Sequence, residues 1–144
     1  MATGPTVDVD ALGVVPANVQ VQSWVPRAAL LPHVDLVVHH GGSGATLGAF
    51  GAGLPQLVLP QGADQFSNAE IVVRLGLGLG HQLIGDQVTE RHVTELAGAL
   101  LTDPSVAEAT QAMAREVTDM PAPEDVVKRL PELADADAGT YRLA

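Results

Sequence analysis

The chain has no cysteine in its 144 residues, which excludes disulfides, thiolate nucleophiles and Cys-type zinc sites together and leaves the redox compartment open. Aromatic residues are scarce at 3%, too few for the stacking platform on which single-stranded nucleic acids are held. Cationic residues are scarce too. Seven Lys plus Arg stand against seventeen Asp plus Glu, a net charge of −10, so a non-specific grip on DNA, RNA or an anionic membrane is disfavoured. Any bound phosphate is therefore expected to be held by backbone. What is abundant is small and apolar: 47% hydrophobic residues and only 17% charged ones describe a globular chain, with room for one domain and not two. Residues 1–5 have neither a basic start nor an apolar run, so no secretory leader is read and a cytoplasmic location is expected. The uncharged stretch from Gly41 to Ala63 is interrupted by Pro55, Pro60 and several glycines, and is expected to be buried loop, helix and strand rather than a membrane span.

Val19-Gln20-Val21-Gln22 alternates like a half-buried strand, whereas Leu36-Val37-Val38 and Leu57-Val58-Leu59 are short continuous apolar runs of the kind found inside parallel sheets. Between the latter two, Ser43 to Gly53 has the length of one helix, which makes a βαβ unit. A second unit follows: Asp64 to Leu75 carries Phe66, Ala69, Val72 and Val73 at helical spacing, ahead of a short strand in Gly76 to Gly80. Three helices are expected afterwards. Thr89 caps the first, whose stripe is Val93, Leu96, Ala97, Leu100 and Leu101. Asp103-Pro104 opens the second, with Val106, Ala109, Met113 and Val117 on one face. Pro123 opens the third, with Val126, Val127, Leu130 and Leu133. The expected domain is 1–134, with 135–144 as a fraying tail. Residues 1–18 hold one weak apolar patch and no phosphate-binding first turn, so the sheet is expected to start in its middle, as in a fragment or half-enzyme; a short capping arm is the alternative.

His39-His40-Gly41-Gly42-Ser43-Gly44-Ala45-Thr46 lies between an expected strand end and a helix start, the place where open α/β sheets bind ligands. Glycines permit close backbone approach, and the helix N-terminus attracts phosphate without a lysine. The spacing fits neither the P-loop nor the dinucleotide fingerprint, and tight helix-sheet packing explains the turn equally well. Adjacent histidines on a strand end point to opposite sides, so zinc is not expected; one of them can face the turn and donate to a phosphoryl oxygen. Asp64 and Gln65 follow the next strand and suit recognition of a polyol, although Asp64 as a helix cap is an equally simple reading. Trp24 is the only tryptophan, usually a core residue but beside a nucleotide a surface for base stacking.

Trp24-Val25-Pro26, HHGGSGAT, Ala52-Gly53-Leu54-Pro55, Pro60-Gln61-Gly62-Ala63-Asp64-Gln65 and Asn68-Ala69 stand in an order that resembles the C-terminal, nucleotide-sugar donor-binding domain of GT-B fold glycosyltransferases. The likeness is to the actinobacterial antibiotic and macrolide enzymes of the UDP-glycosyltransferase superfamily, over about Val7 to Leu133. The resemblance implies a Rossmann-like parallel sheet, incomplete here. It implies that Trp24 stacks on uracil or thymine while the Val25 backbone reads the base edge. His40 with Gly42, Ser43, Gly44, Ala45 and Thr46 would hold the pyrophosphate, and Asp64 and Gln65 the hydroxyls of the sugar. Ala45 stands where relatives commonly carry Ser or Thr, with Thr46 as the substitute hydroxyl. Arg27 and Gly48 depart from the Gln and the ribose-binding Glu of plant relatives.

The resemblance further implies inverting transfer of a TDP- or UDP-activated (deoxy)sugar to a hydroxyl of a natural-product acceptor, with no metal, no cofactor and no catalytic residue in this chain. The family's acceptor domain and its catalytic His are expected to be absent and the chain alone inactive. Its expected partners are the nucleotide sugar and either an acceptor-domain polypeptide or a second copy of itself. The alternatives are the donor subunit of a split two-chain transferase and a non-catalytic nucleotide-sugar-binding module.

Overall fold

A computed structural model describes residues 1–4, 6–80 and 88–137, the side chains of residues 9 and 132–137 excepted. Its centre is a three-stranded parallel sheet of β1 (Val37–His39), β2 (Gln56–Val58) and β3 (Gly78–Gly80), in the order β1-β2-β3. A four-residue helix α1 (Arg27–Leu30) precedes β1; α2 (Ser43–Ala52) connects β1 to β2, and α3 (Gln65–Arg74) connects β2 to β3. The two expected βαβ units are thus present. Val37 aligns with Gln56 and His39 with Val58, while Gln56 aligns with Gly78 and Val58 with Gly80, so all three strands end at one edge.

Alternation along β2 divides the core. Val58 is fully buried with Ala69 and Val72 of α3 and Leu77, against Phe50 of α2. Leu57 is buried on the opposite face with Leu100 of α4 (Glu90–Thr102), alongside Leu36, Leu59, Leu79, Val93 and Leu96. α5 (Pro104–Asp119) joins the two layers: Val106 belongs to the Leu57 cluster, whereas Ala109 and Met113 pack on the Val58 cluster. The caps are those expected. Thr89 Oγ1 accepts from the His92 N–H, and Asp103 accepts from the Ser105 N–H with Pro104 at the first helical position.

α2 forms despite three internal glycines, each of which lowers helix propensity by about 1 kcal/mol. Packing compensates, since Ala49 is fully buried and Phe50 packs on the Val58 cluster. A Cβ on Gly48 would lie 3.4 Å from Leu31 Cδ1, and one on Gly51 would lie 3.7 Å from Val117 Cγ1, ordinary contacts that leave room for alanine at both positions. Gly53 then ends the helix in the left-handed conformation at φ 66°.

Two expectations are corrected. Val19 to Gln22 is not a strand of the sheet; only an isolated bridge joins Ala2 to Gln22, with Gln22 N donating to Met1 O at 2.9 Å and Thr3 N to Gln22 O at 3.0 Å. An alternating pattern needs a neighbouring strand to bond, and here only the first three residues run alongside. The apolar stripe of α6 (Pro123–Asp137) is real but uncovered, since Val126, Val127 and Leu130 are exposed. The side chain of Leu133, and residues 138–144 of the expected tail, lie outside the described residues. Among the described residues no helix is long and apolar enough to cross a membrane; the uncharged stretch from Gly41 to Ala63 is loop, α2 and β2.

Candidate functional site

The loop from β1 into α2 occupies the edge where the strands end. Gly41 takes φ +91°, and a Cβ there would meet Val58 Cγ1 at 2.8 Å and Gln65 O at 3.0 Å, so this corner requires glycine. Gly42 is the N-cap of α2 with no side-chain cap, and the first turn holds no acidic residue. The Ala45 and Thr46 N–H groups donate to Gly42 O at 2.9 and 3.1 Å. Those of Ser43 and Gly44 have no acceptor inside the helix. Ser43 Oγ does not cap them either, because it donates to Asp64 Oδ2 at 2.9 Å. The N-terminus of a ten-residue helix is therefore open to an anion.

The two histidines divide as their adjacency requires. His39 turns into the fold: its Nδ1 accepts from the Gly41 N–H at 3.0 Å, and its Nε2 lies 2.9 Å from Gln56 Oε1. Accepting at Nδ1 leaves the proton of the neutral ring on Nε2, donated to Gln56. Gln56 Nε2 is itself buried without a described partner. Burial, reinforced by the neighbouring His40 and opposed by the Gln56 hydrogen bond, holds the His39 pKa below the ordinary imidazole value. His39 thus buttresses the turn as a neutral ring. His40 is exposed, with its ring over the turn: a Cβ on Gly42 would lie 2.5 Å from His40 Nε2.

Since the unfolded chain binds the His39 proton more readily than the fold, stability is full above the free-imidazole value of about 6.5 and declines as pH falls below it. Thermal midpoints are expected to drop between about pH 7 and about pH 5, and to drop less steeply in His39→Gln. Parallel pH slopes in the two proteins would remove His39 from the explanation.

Thr46 lies in the first turn of α2, with its hydroxyl turned back on the helix. Thr46 is buried and the hydroxyl expected to replace the one missing at Ala45 donates to Gly42 O at 3.2 Å in this structure.

Asp64 and Gln65 begin α3 at the same edge, and neither side chain is a simple cap. Asp64 makes no side-chain capping bond to α3; its Oδ2 joins Ser43 Oγ and, at 3.4 Å, Asn68 Nδ2. Gln65 Oε1 accepts from Gln61 N at 2.7 Å and Gly62 N at 3.2 Å, which pins the preceding loop and leaves Nε2 as its free end. Ala63, immediately before Asp64, takes φ 54°, an uncommon value for a residue with a side chain. Two residues outside the expected set belong here. Asn68 Nδ2 donates to Gly41 O at 2.8 Å and ties α3 to the turn; its place four residues after Asp64 on one helix was a readable signal. Arg27 lies over the first turn of α2, where a Cβ on Gly44 would be 3.2 Å from both Nη1 and Nη2. No local spacing announces a contact between residues so far apart in sequence. Trp24 is 72% exposed and Val25 half-buried, just ahead of α1.

Comparison with known proteins identifies the setting of this edge. The family model described as "Erythromycin biosynthesis protein CIII-like, C-terminal domain" matches residues 2–133. The elloramycin glycosyltransferase ElmGT of Streptomyces olivaceus is 44% identical over 123 residues, which are 85% of this chain and 30% of that protein. Among solved structures, the calicheamicin glycosyltransferase CalG4 superposes with a TM-score of 0.83 at 32% identity, over 92% of this chain and 34% of that one. The glycosyltransferase VinC in complex with DTDP superposes with a TM-score of 0.79 at 29% identity, over 89% of this chain and 32% of its own. The chain thus spans about a third of the length of these relatives. With that family model spanning nearly all of it, the chain belongs to the erythromycin biosynthesis protein CIII-like C-terminal domain family, the α/β domain of GT-B glycosyltransferases.

Proposed function

We propose that the chain binds a TDP- or UDP-activated (deoxy)sugar as the donor for inverting transfer to a hydroxyl of a natural-product acceptor. The observation that carries this reading is the open N-terminus of α2 with His40 Nε2 over it. The free N–H groups of Ser43 and Gly44 and the His40 ring are donors aimed into one small region, which suits a diphosphate. During transfer the anomeric carbon–oxygen bond breaks as the acceptor oxygen attacks, and negative charge collects on the departing diphosphate. Donors fixed before the reaction stabilise that charge without reorganising. Gly42 and Ala45 keep the approach clear of bulk. Asp64 and the free Nε2 of Gln65 take sugar hydroxyls, and the exposed face of Trp24 takes the base, with the Val25 backbone at the base edge. The bound nucleotide in a solved relative agrees with this class of ligand. Transfer is completed by an acceptor-binding portion that supplies the base for the hydroxyl.

Trp24 is the only tryptophan and is exposed, so intrinsic fluorescence reports on it directly. Titration with TDP and UDP is expected to quench it saturably. The signal should vanish in Trp24→Phe, and affinity should fall about tenfold or more in His40→Ala, the scale of a hydrogen bond to a charged group. Absence of binding to folded wild-type protein would overturn the reading.

A further inference from the structure

Arg27 is not explained by the fold. It is the first residue of α1, is exposed, and its side chain makes no hydrogen bond or ion pair with any described residue. Nevertheless its guanidinium rests against the first turn of α2, as the 3.2 Å approach of both terminal nitrogens to a Cβ position on Gly44 records. That end of a helix carries partial positive charge, so a cation there is repelled by the dipole and by the free N–H groups of Ser43 and Gly44. In a chain with only seven Lys and Arg, this guanidinium sits on the unfavourable end of a helix with no carboxylate partner among the described residues. A dianionic group bound at the turn reverses the balance, since the same arrangement becomes a planar fork of donors beside a set of backbone amides.

We infer that Arg27 is a further binding residue of this site, contacting the diphosphate of the nucleotide and setting the preference for diphosphate over monophosphate. The inference rests on the nucleotide reading above and adds to it a side chain outside the Gly-rich turn. It also changes the electrostatics expected from composition, because the anion is then held by a permanent charge as well as by backbone. A Lys at the same position keeps the charge but loses the fork, and Gln keeps the polarity but loses the charge.

Calorimetric titration with TDP and TMP (or UDP and UMP, whichever diphosphate the wild type binds more tightly) tests this in wild type, Arg27→Gln and Arg27→Lys. Arg27→Gln is expected to retain the wild-type thermal midpoint, to weaken the diphosphate about tenfold or more and to weaken the monophosphate clearly less. The salt dependence of diphosphate binding should become shallower, and Arg27→Lys should fall between. An unchanged ratio of diphosphate to monophosphate affinity in Arg27→Gln would overturn the inference while leaving the nucleotide reading intact. Failure of the wild type to bind any of these nucleotides would overturn both.

Discussion

Gly78→Ala is expected to leave no stably folded protein. Gly78 begins β3 opposite Gln56 of the fully buried central strand. A Cβ on it would overlap the carbonyl oxygen of Gln56 and lie 2.8 Å from its carbonyl carbon and 2.9 Å from its nitrogen. A flexible side chain can swing away from such a contact, but this one is with backbone inside the sheet. Overpacking a core costs about 1–3 kcal/mol even when side chains can adjust. Prying two strands apart costs more, and it comes out of a total stability of about 5–15 kcal/mol. Gly98, inside α4 with open space around its Cβ position, is the control: Gly98→Ala should raise stability by about 0.5–1 kcal/mol through helix propensity. Urea denaturation compares the three. A Gly78→Ala protein with the wild-type midpoint would contradict the close pairing of β2 and β3.

Gly42→Ala is expected to separate folding from binding. Its φ of −62° suits alanine. The atoms a Cβ would strike, His40 Nε2 at 2.5 Å and two ring carbons at 3.3 Å, belong to an exposed side chain that is free to turn. Stability should stay within about 0.5 kcal/mol of wild type. The turning ring nonetheless leaves the α2 N-terminus, and the new methyl group takes space beside the free N–H groups, so nucleotide affinity should fall about tenfold or more. Because both act through the His40 ring, His40→Ala and Gly42→Ala should not be additive in the double variant. Unchanged affinity in a folded Gly42→Ala would remove His40 from the site.

These two glycines mark where sequence reasoning reached its limit. Gly42 was legible because strand, Gly-rich turn and helix follow one another within a dozen residues, and periodicity and capping rules act over that range. The same holds for α4 and α5, whose caps at Thr89 and Asp103 are local bonds. The need for glycine at Gly78 was not legible, because it arises from a strand more than twenty residues earlier. Val19 to Gln22 failed for the converse reason: its alternation is local, but a strand exists only if a neighbour pairs with it. The expectation of His40 rather than His39 followed from the resemblance; that Gly41 N and Gln56 engage both ring nitrogens of His39 was not legible, because Gln56 lies seventeen residues away. Asn68 was visible as part of a motif, but not as the tie between α3 and Gly41. Arg27 was visible only as a departure from relatives.

The central claim is that a nucleoside diphosphate is held at the N-terminus of α2, and amide-resolved NMR titration with TDP tests it most directly. The largest shifts are expected at the backbone amides of Ser43, Gly44 and Ala45, with smaller ones at Val25 and Gln65, all saturating at one affinity. Binding with those amides unmoved would contradict it, most sharply if the shifts gathered instead at Phe66, Glu70 and Arg74, which line a separate cavity of about 350 Å³ reaching Gly80.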